Sequence, residues 1–348
     1  MASRRSDLPP EWSTGRQTQA APEPTTPEIA VGTWAWGNQF LWGYAPDRDP
    51  ELQATFKRAV DLGLTVFDTA DSYGTGRLQG RSEALLGQFA AALPEERRRT
   101  ITVATKLAPF PWRLGRHGFD RAFQASRQRL QGKLDRVQLH WSTARYAPWQ
   151  EDPLIDGLAD LLEQGQVSSL GVSNMGPQRL RRVHRRLADR GLSVASVQVQ
   201  ASLLAPEVLT PGGLIEVCRE LGITLLAYSP LALGLLSRPA TAPIAGGGPR
   251  RWLAARLQPS LTPLLESMAE IAVRHGAVGD GGADLAAVAL NWCRSHGAVP
   301  IVGLRRVAQA EAAAAAREWV LEPAERDALD RLALALPVRM PANPFESA

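Results

Sequence analysis

Short apolar or β-branched runs alternate with longer stretches of helical periodicity along most of this chain. Eight runs read as strands: IAVGTWAWG (29–37), TVFDTA (65–70), ITVATKL (101–107), RVQLHW (136–141), SSLGVSN (168–174), SVASVQVQAS (193–202), ITLLAYS (223–229) and AVPIVGL (298–304). Amphipathic stretches such as SEALLGQFAAAL, RAFQASRQRLQG and DGLADLLEQGQ lie between them. Strands this continuously apolar are buried on both faces, and strict βα alternation calls for a parallel sheet with right-handed crossovers. Eight such units close most simply into an α/β fold of the (β/α)₈ TIM-barrel type, a single domain over residues 29–348 ending in a helix and tail. The rival, an open doubly wound sheet, would for nucleotide binding carry a Gly-x-Gly-x-x-Gly turn after its first strand; none is present.

Composition adjusts this picture only at its edges. With 348 residues, 45% hydrophobic and 21% charged, the chain can fill a large core. A net charge of +4 helps attract phosphate but falls short of the footprint of a dedicated nucleic-acid binder. The two cysteines, Cys218 and Cys293, are far apart in apparent helices, which suggests small core residues in a reducing compartment rather than a disulfide or metal site. No apolar run reaches the roughly 20 residues that span a bilayer, so a soluble protein without membrane contact is expected. Residues 1–28, rich in Pro, Ser, Thr and Ala, read as a disordered tail. Asp7, Glu11 and Glu23 argue against a transit peptide there, giving a cytoplasmic expectation, or the plastid stroma if the tail is one.

In a barrel of this kind the chemistry belongs where the strands' carboxyl ends converge. Asp68 sits at the strand end within the second run, Tyr73 follows it in a glycine-flanked turn, Lys106 sits at the strand end in VATK of the third run and His140 in VQLHW of the fourth. Taken singly, these are a turn former, a half-buried aromatic, a solvated strand-end charge and a core imidazole. Together they make a coherent set. A lysine and an aspartate from neighbouring strands tolerate burial only as a pair. An ammonium beside a phenol stabilises the phenolate, lowering a pKa that is ordinarily about 10, and makes Tyr73 a usable acid. His140 can hydrogen-bond the same acceptor oxygen, so the set fits reduction of a carbonyl.

These residues resemble the aldo-keto reductases over nearly the whole chain, from Ile29 to Leu334. VFDTADSYG, VATK, LHW, GVSN, AYSPL and IVGLRR occur in that family's order and spacing. The resemblance implies that Asp68, Tyr73, Lys106 and His140 form a catalytic tetrad with Tyr73 as general acid. It implies NADPH/NADP+ as cofactor, extended across the barrel mouth without a Rossmann fold. Ser173, Asn174 and Gln198 match positions that hold the nicotinamide carboxamide, and Tyr228 matches the aromatic that stacks on the ring. Helix capping is the plainer reading of Ser173 and Asn174, and packing inside the barrel that of Gln198. Gly32, Thr33 and Trp34 match the pocket floor. The run SPLALGLLSRP, with Ser229, Leu231 and Gly234, resembles the pyrophosphate loop, although Ser237, Arg238 and Pro239 stand where TGK is common.

At the adenosine end, Arg305 and Arg306 follow Gly303 and suit a 2′-phosphate, aided by the start of the next helix. Their alternative is a solvated helix start. Gln309 also matches the family, whereas Ala312 and Ala313 replace a common Glu-Asn pair, so the NADPH preference rests on the arginines. IAGGGPRRW reads as a mobile connection in preference to a flap carrying Arg250 and Arg251 to phosphate. QRLRRVHRRLADR reads as an amphipathic helix whose Leu180, Val183 and Leu187 face the barrel and whose charges form a solvated face. Trp36 and Trp112 lie in segments that reach the mouth, but Trp34 and Trp141 are the substrate-pocket candidates.

The pattern is most similar to the cyanobacterial and plant-plastid branch of the family, which implies a pyridoxal-type or small metabolic aldehyde as the carbonyl substrate. A second reading is an NADPH-binding, redox-sensing subunit with little turnover. No metal site and no nucleic-acid partner are expected, and the oligomeric state is not legible.

Overall fold

The computed structural model describes residues 29–242, 248–279, 282–344 and 346–347. The expected amino-terminal tail therefore lies outside the described residues. Eight strands, β1 (Ala30–Gly32), β2 (Val66–Asp68), β3 (Thr102–Leu107), β4 (Arg136–Leu139), β5 (Ser169–Ser173), β6 (Ser196–Gln200), β7 (Thr224–Tyr228) and β8 (Val299–Gly303), form a closed parallel barrel. Each pairs with its sequence neighbours, and β8 returns to β1 with Gly32 opposite Gly303. Gly32 is required at that seam, because a Cβ there would stand 2.9 Å from Ile301 Cγ2.

A helix follows each strand: α1 (Asp49–Asp61), α2 (Arg81–Ala91), α3 (Asp120–Arg129), α4 (Pro148–Glu163), α5 (Pro177–Ala188), α6 (Leu214–Leu221), α7 (Leu285–Ser295) and α8 (Val307–Ala315). Their apolar stripes pack on the outward face of the strands. Phe67, Val103, Val137, Val172 and Val197 meet Phe56, Phe123, Leu158, Leu180 and Leu187 in one continuous core. Leu180, Val183 and Leu187 are buried as the α5 periodicity predicts, and Cys218 and Cys293 are buried free thiols within this layer. Between β7 and α7 two further helices, Gly248–Leu257 and Thr262–Arg274, are inserted. The GGGPRRW half of the supposed mobile linker is thus helical from Gly248 onward. Pro249 is compatible with a helix start, where its missing N–H has no partner to lose.

Alternation along the strands sends every second residue into the barrel, and the two halves of that interior differ. Ala30, Val66, Leu226, Val299 and Ile301 make an apolar cluster separate from the main core. Across from it Arg136 Nε donates to Ser169 Oγ at 2.9 Å and Nη1 reaches Ser196 Oγ at 3.4 Å, with Gln138, Gln198, Asp68 and Lys106 above them. The polar half carries the site.

Candidate active site

Asp68 is the last residue of β2, Lys106 the penultimate residue of β3, and His140 directly follows β4. Parallel strands in register bring these ends to one rim. The turn after β2 is shaped around Tyr73. Its N–H donates to Ala70 O at 3.1 Å and its carbonyl accepts from Gly80 N at 2.9 Å. Gly74 adopts φ +121°, and a Cβ there would overlap the carbonyl of Leu78, so only glycine permits the turn.

Lys106 Nζ donates to Asp68 Oδ2 at 2.5 Å and to Thr69 O at 2.7 Å, and lies 4.8 Å from the centroid of the Tyr73 ring. The other carboxylate oxygen of Asp68 accepts from Gln198 Nε2 at 2.8 Å and from Gln138 Nε2 at 3.2 Å. The His140 ring meets the Tyr73 ring edge-on with centroids 5.8 Å apart, and its Nδ1 is 3.3 Å from Ser72 Oγ. All four expected catalytic side chains are thus in one cluster.

Their protonation follows from this packing. Burial pulls the Lys106 ammonium down, but Asp68 and Tyr73 outweigh it and hold its pKa above the usual value, so the lysine stays charged. Burial raises the Tyr73 phenol; the Lys106 charge and hydrogen bond oppose this, and the net direction is upward. The sequence-based expectation of a lowered phenol pKa is corrected here, because burial of the ring outweighs the cation. Tyr73 is therefore held as a protonated phenol with a fixed cation beside it. Burial, with the charges of Lys106 and Arg113, keeps His140 well below its ordinary value, so it is a neutral imidazole at pH 7.

The residues expected around the cofactor gather on the opposite arc of the mouth. Ser173 Oγ donates to Gln198 O at 2.8 Å and accepts from Asn174 Nδ2 at 3.2 Å, while Tyr228 Oη donates to Asn174 Oδ1 at 3.0 Å. Asn174 sits in the left-handed region, φ +57°. Gln198 spends its N–H on Asp68, which leaves its carbonyl to accept from a ligand. Thr33 is fully buried and ties β1 to Asp68 O at 3.0 Å, a structural task, whereas Trp34 remains open to solvent above it.

Beyond β7, Ser229, Ala232, Leu233 and Gly234 all take positive φ, folding the chain tightly past Leu231. Arg305 lies over Trp42, 5.0 Å from the ring centroid, and its backbone N–H is capped by Gln309 Oε1 at 2.8 Å. Arg306 is exposed at the start of α8 beside the exposed Gly303. On the side expected to take the substrate, the His140 and Trp141 rings lie 5.0 Å apart, with Phe110 edge-on to Trp141 at 5.9 Å. Trp36 is wholly buried, donating to Leu304 O at 2.8 Å, and Trp112 is largely exposed.

Three supports escaped the sequence reading. Gln138 steadies Asp68; its place two residues before His140 on an alternating strand marks it as inward-facing. Asp71, whose carboxyl burial pushes up to about 6, accepts from Arg113 at 2.5 Å and pins the loop after β3 over the mouth. The third is the end of the described chain, where Asn343 and Ser347 fold back onto Asn174 and Tyr228. No periodicity announces it.

Comparison with known proteins adds an independent measure of this arrangement. The model of the Aldo/keto reductase family matches residues 28–334. A chloroplastic pyridoxal reductase of Arabidopsis thaliana is 44% identical over 324 residues, covering 92% of this chain and 86% of that protein. An uncharacterised oxidoreductase of Mycobacterium tuberculosis is 35% identical over 315 residues, covering 86% of this chain and 87% of its own length. The crystal structure of an aldo/keto reductase from Klebsiella pneumoniae in complex with NADP and acetate superposes with a TM-score of 0.68 at 25% identity, covering 93% of this chain and 96% of that one.

Proposed function

The chain belongs to the aldo/keto reductase family, and from that premise we propose that it is an NADPH-dependent reductase of aromatic, pyridoxal-type aldehydes. One observation carries the reading: the buried pair Asp68–Lys106 set against half-buried Tyr73, with neutral His140 facing the same phenol across the mouth.

In this mechanism Tyr73 holds the proton that the carbonyl oxygen takes. Lys106 stays charged throughout and stabilises the phenolate as it forms, while Asp68, fixed by Gln138 and Gln198, holds the lysine in place. A hydroxyl proton from Ser72 on Nδ1 leaves Nε2–H of His140 to donate to the substrate oxygen and orient it. Ser173, Asn174, Gln198 and Tyr228 offer the amide and hydroxyl groups that suit a primary carboxamide and a flat ring, and Arg305 and Arg306 suit a 2′-phosphate. The nicotinamide, when bound there, supplies the hydride. Trp34, Trp141 and Phe110 give the substrate side flat apolar walls, and the 44% identity to a pyridoxal reductase supports a heteroaromatic aldehyde. No observation favours the alternative of a sensing subunit without turnover.

The test is cofactor oxidation across pyridoxal, benzaldehyde, sugar-derived and short aliphatic aldehydes, each with NADPH and NADH. Pyridoxal with NADPH should give the highest kcat/KM. Absence of turnover with every aldehyde, or a higher kcat/KM for the aliphatic ones, would refute the assignment.

A further inference from the structure

Residues 340–344 and 346–347 are tethered along the ends of β5, β6 and β7. Met340 N donates to Leu204 O at 2.8 Å, Arg145 Nη1 to Pro344 O at 3.0 Å, Ser347 N to Asn174 O at 3.1 Å and Gly176 N to Ser347 O at 2.6 Å. Between these anchors the Asn343 side chain donates to Asn174 Oδ1 at 3.1 Å and to Tyr228 Oη at 2.8 Å. A side-chain amide has two donor hydrogens and two acceptor lone pairs. In Asn174 all four are engaged: Nδ2 on His140 O at 3.0 Å and Ser173 Oγ at 3.2 Å, Oδ1 by Tyr228 Oη at 3.0 Å and by Asn343. Three of those partners belong to the barrel rim. Asn343 alone arrives from the overlying segment, and its functional group is a primary carboxamide, chemically the same group that the nicotinamide ring carries.

We propose that Asn343 is an internal surrogate for the cofactor's carboxamide, occupying Asn174 and the Tyr228 hydroxyl until the nicotinamide displaces it. This deepens the reading above and rests on its placement of the nicotinamide at Asn174 and Tyr228. The exchange is local, since the bonds made by Met340, Pro344 and Ser347 can persist while one side chain turns away. Half-buried Asn343 can be shortened without opening a core cavity.

Asn343→Ala and wild type should be titrated with NADPH and, separately, with an adenosine bisphosphate that carries the same 2′-phosphate but no nicotinamide. Removing one competing neutral hydrogen-bonding group should tighten NADPH roughly three- to tenfold and leave the bisphosphate unchanged. Should the alanine variant melt early without ligand, Asn343→Ser, which also lacks the carboxamide, carries the same expectation. Unchanged or weaker NADPH binding, or equal shifts for both ligands, would overturn the proposal. Failure of wild type to bind NADPH would instead remove the functional reading beneath it.

Discussion

Two assemblies of opposite charges in this molecule use the same chemistry to different ends. Inside the barrel a single pair, Lys106 and Asp68, is almost fully buried, and each partner has its other hydrogen-bonding capacity taken by named neighbours. Outside, an arginine ladder on and just beyond α5 faces acidic residues on α4: Arg179 with Glu151, Arg182 with Asp152, Arg186 with Asp156, and Arg190 with both Asp160 and Glu163. Arg181 adds a link to Glu220 on α6 at 2.5 Å. The ladder stands at the surface, partly open to water at Arg182 and Glu163, and its members back one another up, so a single exposed link contributes little. The inner pair has no understudy. Losing either partner leaves a buried charge unmatched, and losing Asp68 strands the ammonium that lies beside the Tyr73 ring.

The contrast can be broken most severely at the phenol itself. Tyr73→Phe should lower kcat by about 10²- to 10⁴-fold with NADPH affinity retained, measured by steady-state turnover alongside ligand titration. Because the phenol pKa is raised, wild-type turnover should hold a plateau through neutrality and fall only on the alkaline side, beyond the ordinary phenol value of about 10, and that limb should vanish from the residual activity of the variant. Next comes Asp68→Asn, which leaves the Lys106 charge buried without its counter-ion. Denaturant unfolding should show a loss of about 3–5 kcal/mol, and a loss below about 1 kcal/mol would erase the distinction between the two assemblies. The smallest effect belongs to Arg182→Ala on the ladder. It should cost about 0.2–1 kcal/mol, shrinking further in high salt, although it removes the 2.7 Å pair with Asp152.

The same contrast explains what was legible beforehand. Strand ends carrying Asp68, Lys106 and His140 could be read because alternation and barrel closure leave one rim for them to share. The ladder was read only as a solvated face, since helix periodicity gives which residues point outward but not which neighbouring helix lies opposite. Tyr73's protonation was misjudged for a related reason: the sequence reveals a lysine nearby but not how far the ring is withdrawn from water. Asn343 was invisible. It sits in a short polar and proline-containing stretch far along the chain from Asn174 and Tyr228, and one docked side chain leaves no repeat to detect.

Closure of the ring by β1 against β8 also has a bearing on how the chain is made. The strands and loop that carry Asp68, Tyr73, Lys106 and His140 lie in the first half of the chain, yet the free edge of β1 finds its partner only after residues 299–303 have been translated. Without that strand, β1 would be an edge strand with one row of backbone groups unpaired. The complete mouth is therefore a property of the whole chain: it can form only once residues 299–303 are present to close the ring.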